Sequence, residues 1–424
     1  MRKALTSSHG SILSPHHSLF MGARMAQSIF AGKRIVVGVC GSIAAFKVAG
    51  WVSELAKEEA LVSVVMTTSA LEFVTPLTFA ALSGNDVHTG MFGAGRDDVM
   101  AHISIGRDAD VILVAPATAN VMARLAAGMA DDLLTTTVLA SRARILICPA
   151  MNPRMYDHPA TKRNLQVLKE LGYWVIDPES GMMACKEEGE GRLAEWETVR
   201  EYLAKSLTPQ DLQGQRVLVT AGPTREPLDP ARFLSNRSSG RMGYALARAA
   251  FRRGAEVILV SGPTALPCPA GVTRENVRTA CEMRDRVLAH ADGCSVIVKA
   301  AAVADYRPEI LHEHKVKKEQ IEKELVLAKN PDILWELGQR KRPGQVLVGF
   351  AAESRDLAEE GAKKLRKKNL DLIAVNDIGG DRTGFEAETN QVLLISRTGT
   401  DMLPFTGKGH TADLLWDRIV ALLS

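Results

Sequence analysis

Three clusters of polar residues have the types and spacing needed to bind small anionic molecules. Ser-Ser-Gly at 238–240 precedes a predicted helix, where free backbone N–H groups and the helix dipole favour an anion. Lys364 and Lys368 are spaced i, i+4, so a helix places both ammonium groups on one face. Gly41 and Ser42 form a similar turn before another predicted helix, beginning at Ser42. Each cluster also has an ordinary structural explanation, because Gly-Ser turns and solvated lysines are common in α/β proteins.

One cysteine stands in surroundings that suit a reactive thiol. The chain has six cysteines, at 40, 148, 185, 268, 281 and 294, and no C-x-x-C pair. This pattern favours reduced thiols in a cytoplasm over a disulfide framework or a zinc site. A lone cysteine is usually a small buried hydrophobe. Cys185, however, is followed by Lys-Glu-Glu-Gly-Glu-Gly-Arg, and this charged, glycine-containing sequence weakens that explanation.

Alternating apolar runs and polar loops predict the elements that must position these residues. Residues 216–220 and 256–260 read as buried strands on either side of a polar loop and a helix, the opening βαβ unit of a doubly wound sheet. Further apolar runs predict strands of an earlier unit, at 34–39, 62–67, 111–115 and 144–148. We therefore predict an α/β protein with two doubly wound, Rossmann-like domains.

Length and composition bound the classes of function. A chain of 424 residues with 46% hydrophobic residues can form two cores, and a net charge of +3 does not indicate nucleic-acid binding. No apolar run approaches the ~20 residues of a membrane span. We predict an N-terminal domain at 33–204, a linker at 205–215 and a C-terminal domain at 216–424.

Residues 1–32 are predicted to be a disordered extension. The first thirty-four residues contain no acidic residue, which also fits a transit peptide loosely. A translation start at Met25 is a further possibility.

The loops that follow the predicted strands favour a mononucleotide over a dinucleotide ligand. Neither opening loop has the G-x-G-x-x-G spacing, and no Asp or Glu ends the second strand to hold a ribose. Proline-containing turns begin at Pro116 and Pro149, after the third and fourth strands. Because open α/β sheets bind ligands at the carboxyl ends of their strands, these turns and the Gly-Ser loop predict a shared pocket.

These segments resemble two enzyme families. Gly-Ser-Ile-Ala-Ala-Phe-Lys at 41–47, Pro-Ala-Thr-Ala-Asn at 116–120 and Pro-Ala-Met-Asn at 149–152 resemble flavin-binding cysteine decarboxylases. Ala-Gly-Pro-Thr-Arg-Glu-Pro-Leu-Asp-Pro at 221–230 and Ser-Asn-Arg-Ser-Ser-Gly-Arg-Met-Gly at 235–243 resemble phosphopantothenate–cysteine ligase. From Lys33 onward the chain thus resembles the bacterial bifunctional family in which phosphopantothenoylcysteine decarboxylase is fused to that ligase.

For the first half, the resemblance implies an FMN-dependent decarboxylase. It assigns an active-site histidine to His102, a substrate-carboxylate ligand to Asn152 and a proton donor to Cys185. Lys186 departs from the family, which usually has Gly there, and it could stiffen the segment or lower the pKa of the Cys185 thiol. The FMN contacts implied are Gly41, Ser42, Ile43, Thr67, Ala117 and Thr118.

For the second half, the resemblance implies a ligase that uses CTP and Mg²⁺. It assigns contact with the acyl-cytidylate to Asn236 and with the triphosphate to Lys315, while the magnesium ligands remain unknown. The implied CTP contacts are Ala300, Ala301, Asp305, Lys315, Asn330, Pro331, Asp332, Ile333, Phe350, Lys364 and Lys368. Without the resemblance, the lysines at 315, 317 and 318 would read as a solvated face.

We therefore expect a cytoplasmic enzyme of coenzyme A biosynthesis, and the resemblance implies a homo-oligomer. Its substrates would be 4′-phosphopantothenate, cysteine and CTP. Two alternatives remain open: a flavoprotein of another activity, such as a flavin reductase or a prenyl-transferring enzyme, and a regulatory binding protein without catalysis. Turnover of CTP to pyrophosphate distinguishes the enzyme from a protein that only binds CTP.

Overall fold

The computed structural model describes residues 28–92, 100–183, 186–317, 325–353, 355–377 and 389–423. Within these ranges the chain forms two large sheets, each covered by helices on both faces. The prediction of two doubly wound α/β units is confirmed.

The first sheet has six parallel strands in the order β3-β2-β1-β4-β5-β6. Its strands and a following hairpin are β1 Arg34–Val39, β2 Leu61–Met66, β3 Val87–His88, β4 Val111–Ala117, β5 Arg144–Pro149, β6 Trp174–Val175, β7 Glu179–Met182 and β8 Glu188–Arg192. The helices are α1 Ala45–Lys57, α2 Pro76–Ser83, α3 Ala101–Asp108, α4 Ala119–Ala126, α5 Leu133–Ala140, α6 Pro153–Asp157, α7 Pro159–Glu170 and α8 Trp196–Leu207, with a 3-10 helix at Thr68–Glu72.

The order of this sheet creates a crevice at one end. Strands β2 and β3 lie on one side of β1, and β4 lies on its other side, so the order in which the chain adds strands reverses between β1 and β4. Strands β1 and β4 pair in parallel through Val37 and Leu113. Their side chains are fully buried because helices cover both faces: α1, α2 and α8 on one side, α4, α5 and α7 on the other. Such a reversal leaves space outside the carboxyl ends of the strands, where ligands bind in this architecture.

The folded part of the first unit begins before Lys33, which corrects the predicted extension at 1–32. Phe30 is completely buried in the core, and the guanidinium of Arg200 lies 5.2 Å from the centre of its ring. The hydroxyl of Ser28 donates a hydrogen bond of 2.6 Å to Glu58. The polar composition of residues 1–32 predicted disorder. The apolar side chain of Phe30 nevertheless packs in the core beside α1 and α8.

The second sheet has eight strands in the order β13-β12-β9-β14-β17-β18-β20-β21. The strands of this unit are β9 Arg216–Ala221, β10 Arg225–Pro227, β11 Phe233–Ser235, β12 Glu256–Ser261, β13 Val272–Asn276, β14 Val296–Lys299, β15 Tyr306–Pro308, β16 Leu327–Lys329, β17 Val346–Glu353, β18 Leu372–Asp377, β19 Thr389–Asn390, β20 Val392–Ser396, β21 Thr400–Met402 and β22 Thr406–Gly407. The helices are α9 Arg241–Arg252, α10 Ala280–Ala291, α11 Ile333–Arg340, α12 Leu357–Lys367 and α13 Lys408–Val420.

The six strands from β13 to β18 are parallel, and β20 and β21 extend the sheet antiparallel. Helices α9 and α13 cover one face, where Trp416 is fully buried and donates its indole N–H to the carbonyl of Leu246 at 3.0 Å. Helices α10, α11 and α12 cover the other face. Strands β12 and β13 lie on one side of β9 and β14 lies on the other, so the order of strand addition reverses between β9 and β14. This sheet therefore also has a crevice at its carboxyl edge.

The predicted linker at 205–215 is packed against the second unit along much of its length. The amide of Gln210 donates to three carbonyls, those of Lys205, Thr208 and Arg252, at 2.8–2.9 Å. Leu212 is fully buried, and Asp211 pairs with Arg253. Because the polar groups of the segment are satisfied within the protein, this connection holds α8 against α9.

Candidate active sites

The residues predicted to contact FMN all lie at the carboxyl edge of the first sheet. Gly41, Ser42 and Ile43 follow β1, and Thr67 follows β2. Ala117 ends β4, while the hydroxyl of Thr118 caps α4 by accepting the N–H of Val121 at 3.4 Å. The reversal of the strand order therefore brings together loops that are distant in sequence.

Two observations at this edge fit a bound cofactor. The side chain of Thr67 is 9% exposed, and among the described residues its Oγ1 has no hydrogen-bond partner. A buried hydroxyl without a partner is costly, so it indicates a missing polar group. A Cβ atom at Gly41 would lie 2.5 Å from the Cβ of Ser69, so only glycine fits this close approach of two loops.

The loop after β1 differs from the predicted helix N-terminus. Helix α1 begins at Ala45 rather than at Ser42. The N–H of Ser42 donates to the carbonyl of Cys40, and those of Ala44 and Ala45 donate to Ser42. Because a tight turn uses these donors internally, the loop offers fewer free N–H groups to an anion than the sequence predicted.

The predicted carboxylate ligand Asn152 lies beneath the hairpin formed by β7 and β8. Asn152 caps α6, because its Oδ1 accepts the N–H of Arg154, and its Nδ2 donates to Glu187 at 2.5 Å. The N–H of Met151 also donates to the carbonyl of Gly191 in β8. The hairpin is thus joined to the loop after β5 through side-chain and backbone contacts.

Cys185 lies outside the described residues, and its neighbour Lys186 adopts a left-handed backbone conformation with φ of 62°. Glycine adopts this conformation without strain, whereas lysine does so at a cost of about 1 kcal/mol. A bend is therefore built into the tip of the hairpin even though no glycine stands there. His102 is the second residue of α3 and is half-buried. In the described part of the chain its imidazole makes no hydrogen bond or ion pair.

The second sheet carries a cavity of about 500 Å³ at its carboxyl edge. Asn236 and ten of the eleven predicted CTP contacts line it: Ala300, Ala301, Asp305, Asn330, Pro331, Asp332, Ile333, Phe350, Lys364 and Lys368. These residues come from the loops after β11, β14 and β16, from the start of α11, from β17 and from the end of α12. The fold therefore gathers segments that are up to 132 residues apart, from Asn236 to Lys368.

Two buried threonines hold one wall of this cavity in place. Thr220 accepts the N–H of Ala301 at 3.1 Å, and Thr224 accepts the N–H of Ala304 at 3.0 Å. Both side chains are fully buried. These two hydrogen bonds fasten the end of β9 and the Ala-Gly-Pro-Thr segment to the loop after β14. The threonine hydroxyls stand next to the turn after β9 because they hold that loop in place.

Helix α9 closes the cavity on the opposite side. Gly240 precedes it with φ of 78°, and a Cβ at Gly243 would lie 2.5 Å from the Cβ of Ala221. Glycine therefore lets the first turn approach β9 closely. The N-cap residue Gly240 has no side chain with which to cap this turn, and residues 238–243 line the cavity. The loop of the predicted anion-binding helix N-terminus thus lies at the cavity, and anion binding by Ser-Ser-Gly stays a prediction.

Two of the cavity lysines already have carboxylate partners. Lys368 lies 2.8 Å from Asp332, and Lys364 pairs with Glu353. Burial alone would raise the pKa of Asp332, but the hydrogen bond from Lys368 holds it below its ordinary value. The cavity therefore contains lysine–carboxylate ion pairs. A polyanionic ligand can replace the carboxylates as the partners of these lysines.

Sequence reasoning missed five polar residues that line this cavity: Arg241, Lys299, Asn376, Asn390 and Lys408. The Oδ1 atoms of Asn376 and Asn390 are buried and have no hydrogen-bond partner among the described residues. Asn376 and Lys299 stand at the carboxyl ends of the apolar runs that form β18 and β14, which was a usable signal. Asn390 and Lys408 belong to elements that only the tertiary fold brings to the sheet edge.

Lys315 does not line the cavity, and its side chain is exposed. Its segment is held by Asp229, a buried carboxylate that accepts the N–H of Val316 at 3.3 Å and pairs with Arg232. The guanidinium of Arg232 and three backbone N–H groups hold the pKa of Asp229 well below its usual range. The assignment of Lys315 to the triphosphate stays a prediction.

The described residues contain no group of three or more His, Cys, Asp or Glu side chains that could hold a metal ion. Asp305 and Asp332 are the acidic side chains lining the cavity. In the same part of the chain, every helix is too short or too polar to cross a lipid bilayer.

Two doubly wound units, each with polar loops gathered at the carboxyl edge of its sheet, define a two-domain α/β enzyme. Comparison with known families agrees with this division. Residues 26–208 match the family described as Flavoprotein, and residues 212–423 match the DNA/pantothenate metabolism flavoprotein C-terminal domain.

The chain belongs to the family of coenzyme A biosynthesis bifunctional proteins CoaBC. It is 46% identical over 395 residues to the member from Bacillus subtilis (strain 168), covering 92% of this chain and 97% of that protein. It is 42% identical over 394 residues to the member from Escherichia coli (strain K12), covering 92% and 97%.

Solved structures resemble each half of the chain. A crystal structure of the C-terminal domain of CoaBC is 42% identical, with a TM-score of 0.44, and covers 50% of this chain and 98% of that one. A mutant PPC decarboxylase complexed with pantothenoylaminoethenethiol is 31% identical, with a TM-score of 0.36, and covers 41% and 98%.

Proposed function

We propose that this enzyme makes 4′-phosphopantetheine in two reactions. The C-terminal half joins cysteine to 4′-phosphopantothenate at the expense of CTP, and the N-terminal half decarboxylates the product with FMN. The observation that carries this proposal is the cavity of about 500 Å³, which is lined by the glycine-capped N-terminus of α9 and by lysines paired with carboxylates. This arrangement suits a nucleoside triphosphate, and a flavoprotein unit precedes it in the same chain.

Ligation requires that the carboxylate of phosphopantothenate become reactive toward an amine. A carboxylate oxygen attacks the α-phosphorus of CTP, forming an acyl-cytidylate and releasing pyrophosphate. The amine of cysteine then attacks the acyl carbon, CMP leaves, and the amine loses a proton. Fixed positive charge stabilises the phosphate oxygens as each leaving group departs.

Particular residues of the cavity would divide this task. Lys364 and Lys368 would meet the phosphates, exchanging their present carboxylate partners for ligand oxygens. Asn236, whose Nδ2 now donates to the carbonyl of Ala302 at 3.2 Å, would contact the acyl-cytidylate. Asp305 and Phe350 would face the nucleoside. Lys315, which lies outside the cavity lining, would reach the triphosphate only after its segment moves.

Magnesium would enter as a companion of the triphosphate. Mg²⁺ is usually held by one or two carboxylates together with substrate phosphates, and the absence of a larger acidic cluster among the described residues is compatible with this arrangement. Asp305 and Asp332 are the two carboxylates that the cavity lining offers to it.

Gly41, Ser42, Ile43, Thr67, Ala117 and Thr118 would hold FMN at the carboxyl edge of the first sheet. The flavin supplies reversible two-electron oxidation of the substrate thiol, which turns the adjacent carbon into an electron sink for decarboxylation. Asn152 would orient the substrate carboxylate without a positive charge that would retain CO₂. Cys185 would donate the final proton, and His102 is the second candidate acid.

Exposed apolar side chains beside the flavin loop support a homo-oligomer. Ile43 is 59% exposed, and Phe46, on the first turn of α1, is 61% exposed. Adjacent exposed apolar residues of this size commonly mark an interface. We also propose a cytoplasmic location, because the five cysteines in the described residues are free thiols.

Two variants separate the two half-reactions. Asn236→Asp should abolish ligation, because a second negative charge repels the acyl-cytidylate, and it should still decarboxylate supplied 4′-phosphopantothenoylcysteine. Cys185→Ser should ligate normally and release CO₂, but it should not form 4′-phosphopantetheine, because a serine hydroxyl is far less acidic than a thiol. If both variants lose the same half-reaction, the proposed division of labour is wrong.

A further inference from the structure

Lys299 is a buried lysine at the centre of the nucleotide cavity. It ends β14, which lies between β9 and β17 in the middle of the second sheet. Its side chain is only 8% exposed, and it lines the cavity together with Lys364 and Lys368. Its register partners are Thr220 in β9 and Gly349 in β17, and the charged groups that act on its ammonium all line the same cavity.

Lys299 differs from its two neighbours in having no counter-ion. Lys364 is paired with Glu353 and Lys368 with Asp332. Among the described residues, the ammonium of Lys299 makes neither a hydrogen bond nor an ion pair. The charged groups that face it are Lys368 at the end of α12, Asp332 at the start of α11 and Asp305 in the loop after β14.

An ammonium in this position is unfavourable without a ligand. Burial lowers the pKa of Lys299 to about 8, and the positive charge of Lys368 acts in the same direction. Asp332 and Asp305 oppose the shift but do not cancel it. A buried cation without a partner destabilises a fold, and it is retained where an anion arrives to pair with it.

We propose that Lys299 is a further phosphate-binding residue of the cavity, whose ammonium group is the counter-charge for a phosphoryl group of the bound nucleoside triphosphate. The inference rests on the proposed CTP site and adds to it a residue whose charge depends on the ligand. Lys364 and Lys368 must release carboxylates before they meet the phosphates, whereas Lys299 has none to release. Its contact therefore contributes the full strength of a new charge-assisted hydrogen bond.

Nucleotide binding should consequently be linked to proton uptake. A phosphate placed next to Lys299 favours the charged amine and so raises its pKa. At pH 7 the amine of Lys299 is already protonated, so nucleotide binding takes up few protons. At pH 8 about half of the free protein carries a neutral amine, so roughly half a proton is taken up per site. Above that pH, affinity should fall by up to about tenfold per pH unit until the pKa of the complex is reached.

The test is calorimetry of CTP binding to the full-length protein at pH 7, 8 and 9, in two buffers with different ionisation enthalpies. The variants are Lys299→Met, which keeps the length of the side chain, and Lys329→Met as a control. Lys329 is exposed and lies outside the cavity lining, although its sequence neighbour Asn330 belongs to that lining. Thermal unfolding of each ligand-free variant gives a second readout.

We expect Lys299→Met to bind CTP roughly 10- to 100-fold more weakly at pH 7, to lose proton uptake at pH 8 and to unfold at a higher temperature than the wild type. A merely structural lysine would not give this combination of weaker binding and higher stability. Lys329→Met should match the wild type in all three measurements.

The outcomes separate the two proposals. Wild-type protein that binds CTP without proton uptake at pH 8, or Lys299→Met that binds CTP as tightly as the wild type, overturns the role of Lys299 alone. If Lys299→Met is less stable than the wild type, its ammonium is structural and the inference also fails. Wild-type protein that does not bind CTP at all contradicts the proposed ligase function itself.

Discussion

Replacing Thr67 with valine should raise the free energy of unfolding of the ligand-free protein and lower its affinity for FMN. The hydroxyl of Thr67 is buried and has no partner among the described residues, at the edge where FMN is proposed to bind. Valine has nearly the same shape but no hydroxyl. The substitution therefore removes an unsatisfied polar group from the apoprotein and a hydrogen bond from the complex.

The expected magnitudes follow from these two changes. An unsatisfied buried hydroxyl costs about 1–3 kcal/mol, so the apoprotein of Thr67→Val should be more stable by about 1 kcal/mol or more. A hydrogen bond to the cofactor contributes about 0.5–1.5 kcal/mol, so FMN should bind roughly 2- to 13-fold more weakly. The two effects have opposite signs, which distinguishes them from general loss of structure.

The assay measures urea unfolding of the apoprotein and fluorescence titration with FMN. Thr137→Val is the matched control, because Thr137 is fully buried but its hydroxyl donates to the carbonyl of Leu133 at 2.7 Å. That variant should lose about 1 kcal/mol of apoprotein stability and keep its affinity for FMN. If Thr67→Val behaves like Thr137→Val, the hydroxyl is not directed at a cofactor.

Three further results are expected. Thr224→Val, which removes the acceptor for the N–H of Ala304, should weaken CTP binding several-fold and leave FMN binding unchanged, as titrations of both ligands would show. Asp229→Asn should destabilise the C-terminal half at pH 7, and the difference from the wild type should begin to shrink below about pH 4 and be lost only as the pH falls through the lower folded pKa. The sign follows because the folded pKa of Asp229 is depressed, so its contribution is complete above the unfolded pKa and is lost as acid protonates it. A fragment ending at residue 207 should bind FMN, and one beginning at residue 208 should bind CTP; loss of both activities in folded fragments would contradict the predicted domain boundaries.

The central strands were predictable because both of their faces are buried. The apolar run at 34–39 became β1, and the runs at 216–220 and 256–260 became β9 and β12 with one residue added to each. A parallel strand covered by helices must be apolar throughout, so its limits are visible in a single sequence. The recurring βαβ pattern predicted doubly wound sheets, and with them the carboxyl edge at which the loops of the sites lie, whereas the order of the strands was given by the structure.

The details that the sequence did not reveal depend on contacts between distant segments. Phe30 looked like part of a polar extension until the core provided a space for it. The tight turn at Ser42 forms internal hydrogen bonds with N–H groups that a helix beginning at Ser42 would have left free. Lys299 reads as the end of a strand, and its burial without a counter-ion becomes visible only when the surrounding elements are assembled.

The central claim is that one chain performs both reactions in sequence, and a product analysis tests it most directly. The purified protein is incubated with FMN, Mg²⁺, CTP, 4′-phosphopantothenate and cysteine labelled with ¹³C at its carboxyl group, and the products are identified by mass spectrometry. We predict equal amounts of 4′-phosphopantetheine, CMP, pyrophosphate and labelled CO₂. Accumulation of 4′-phosphopantothenoylcysteine with the label retained, or unchanged substrates with intact CTP, would contradict a bifunctional enzyme.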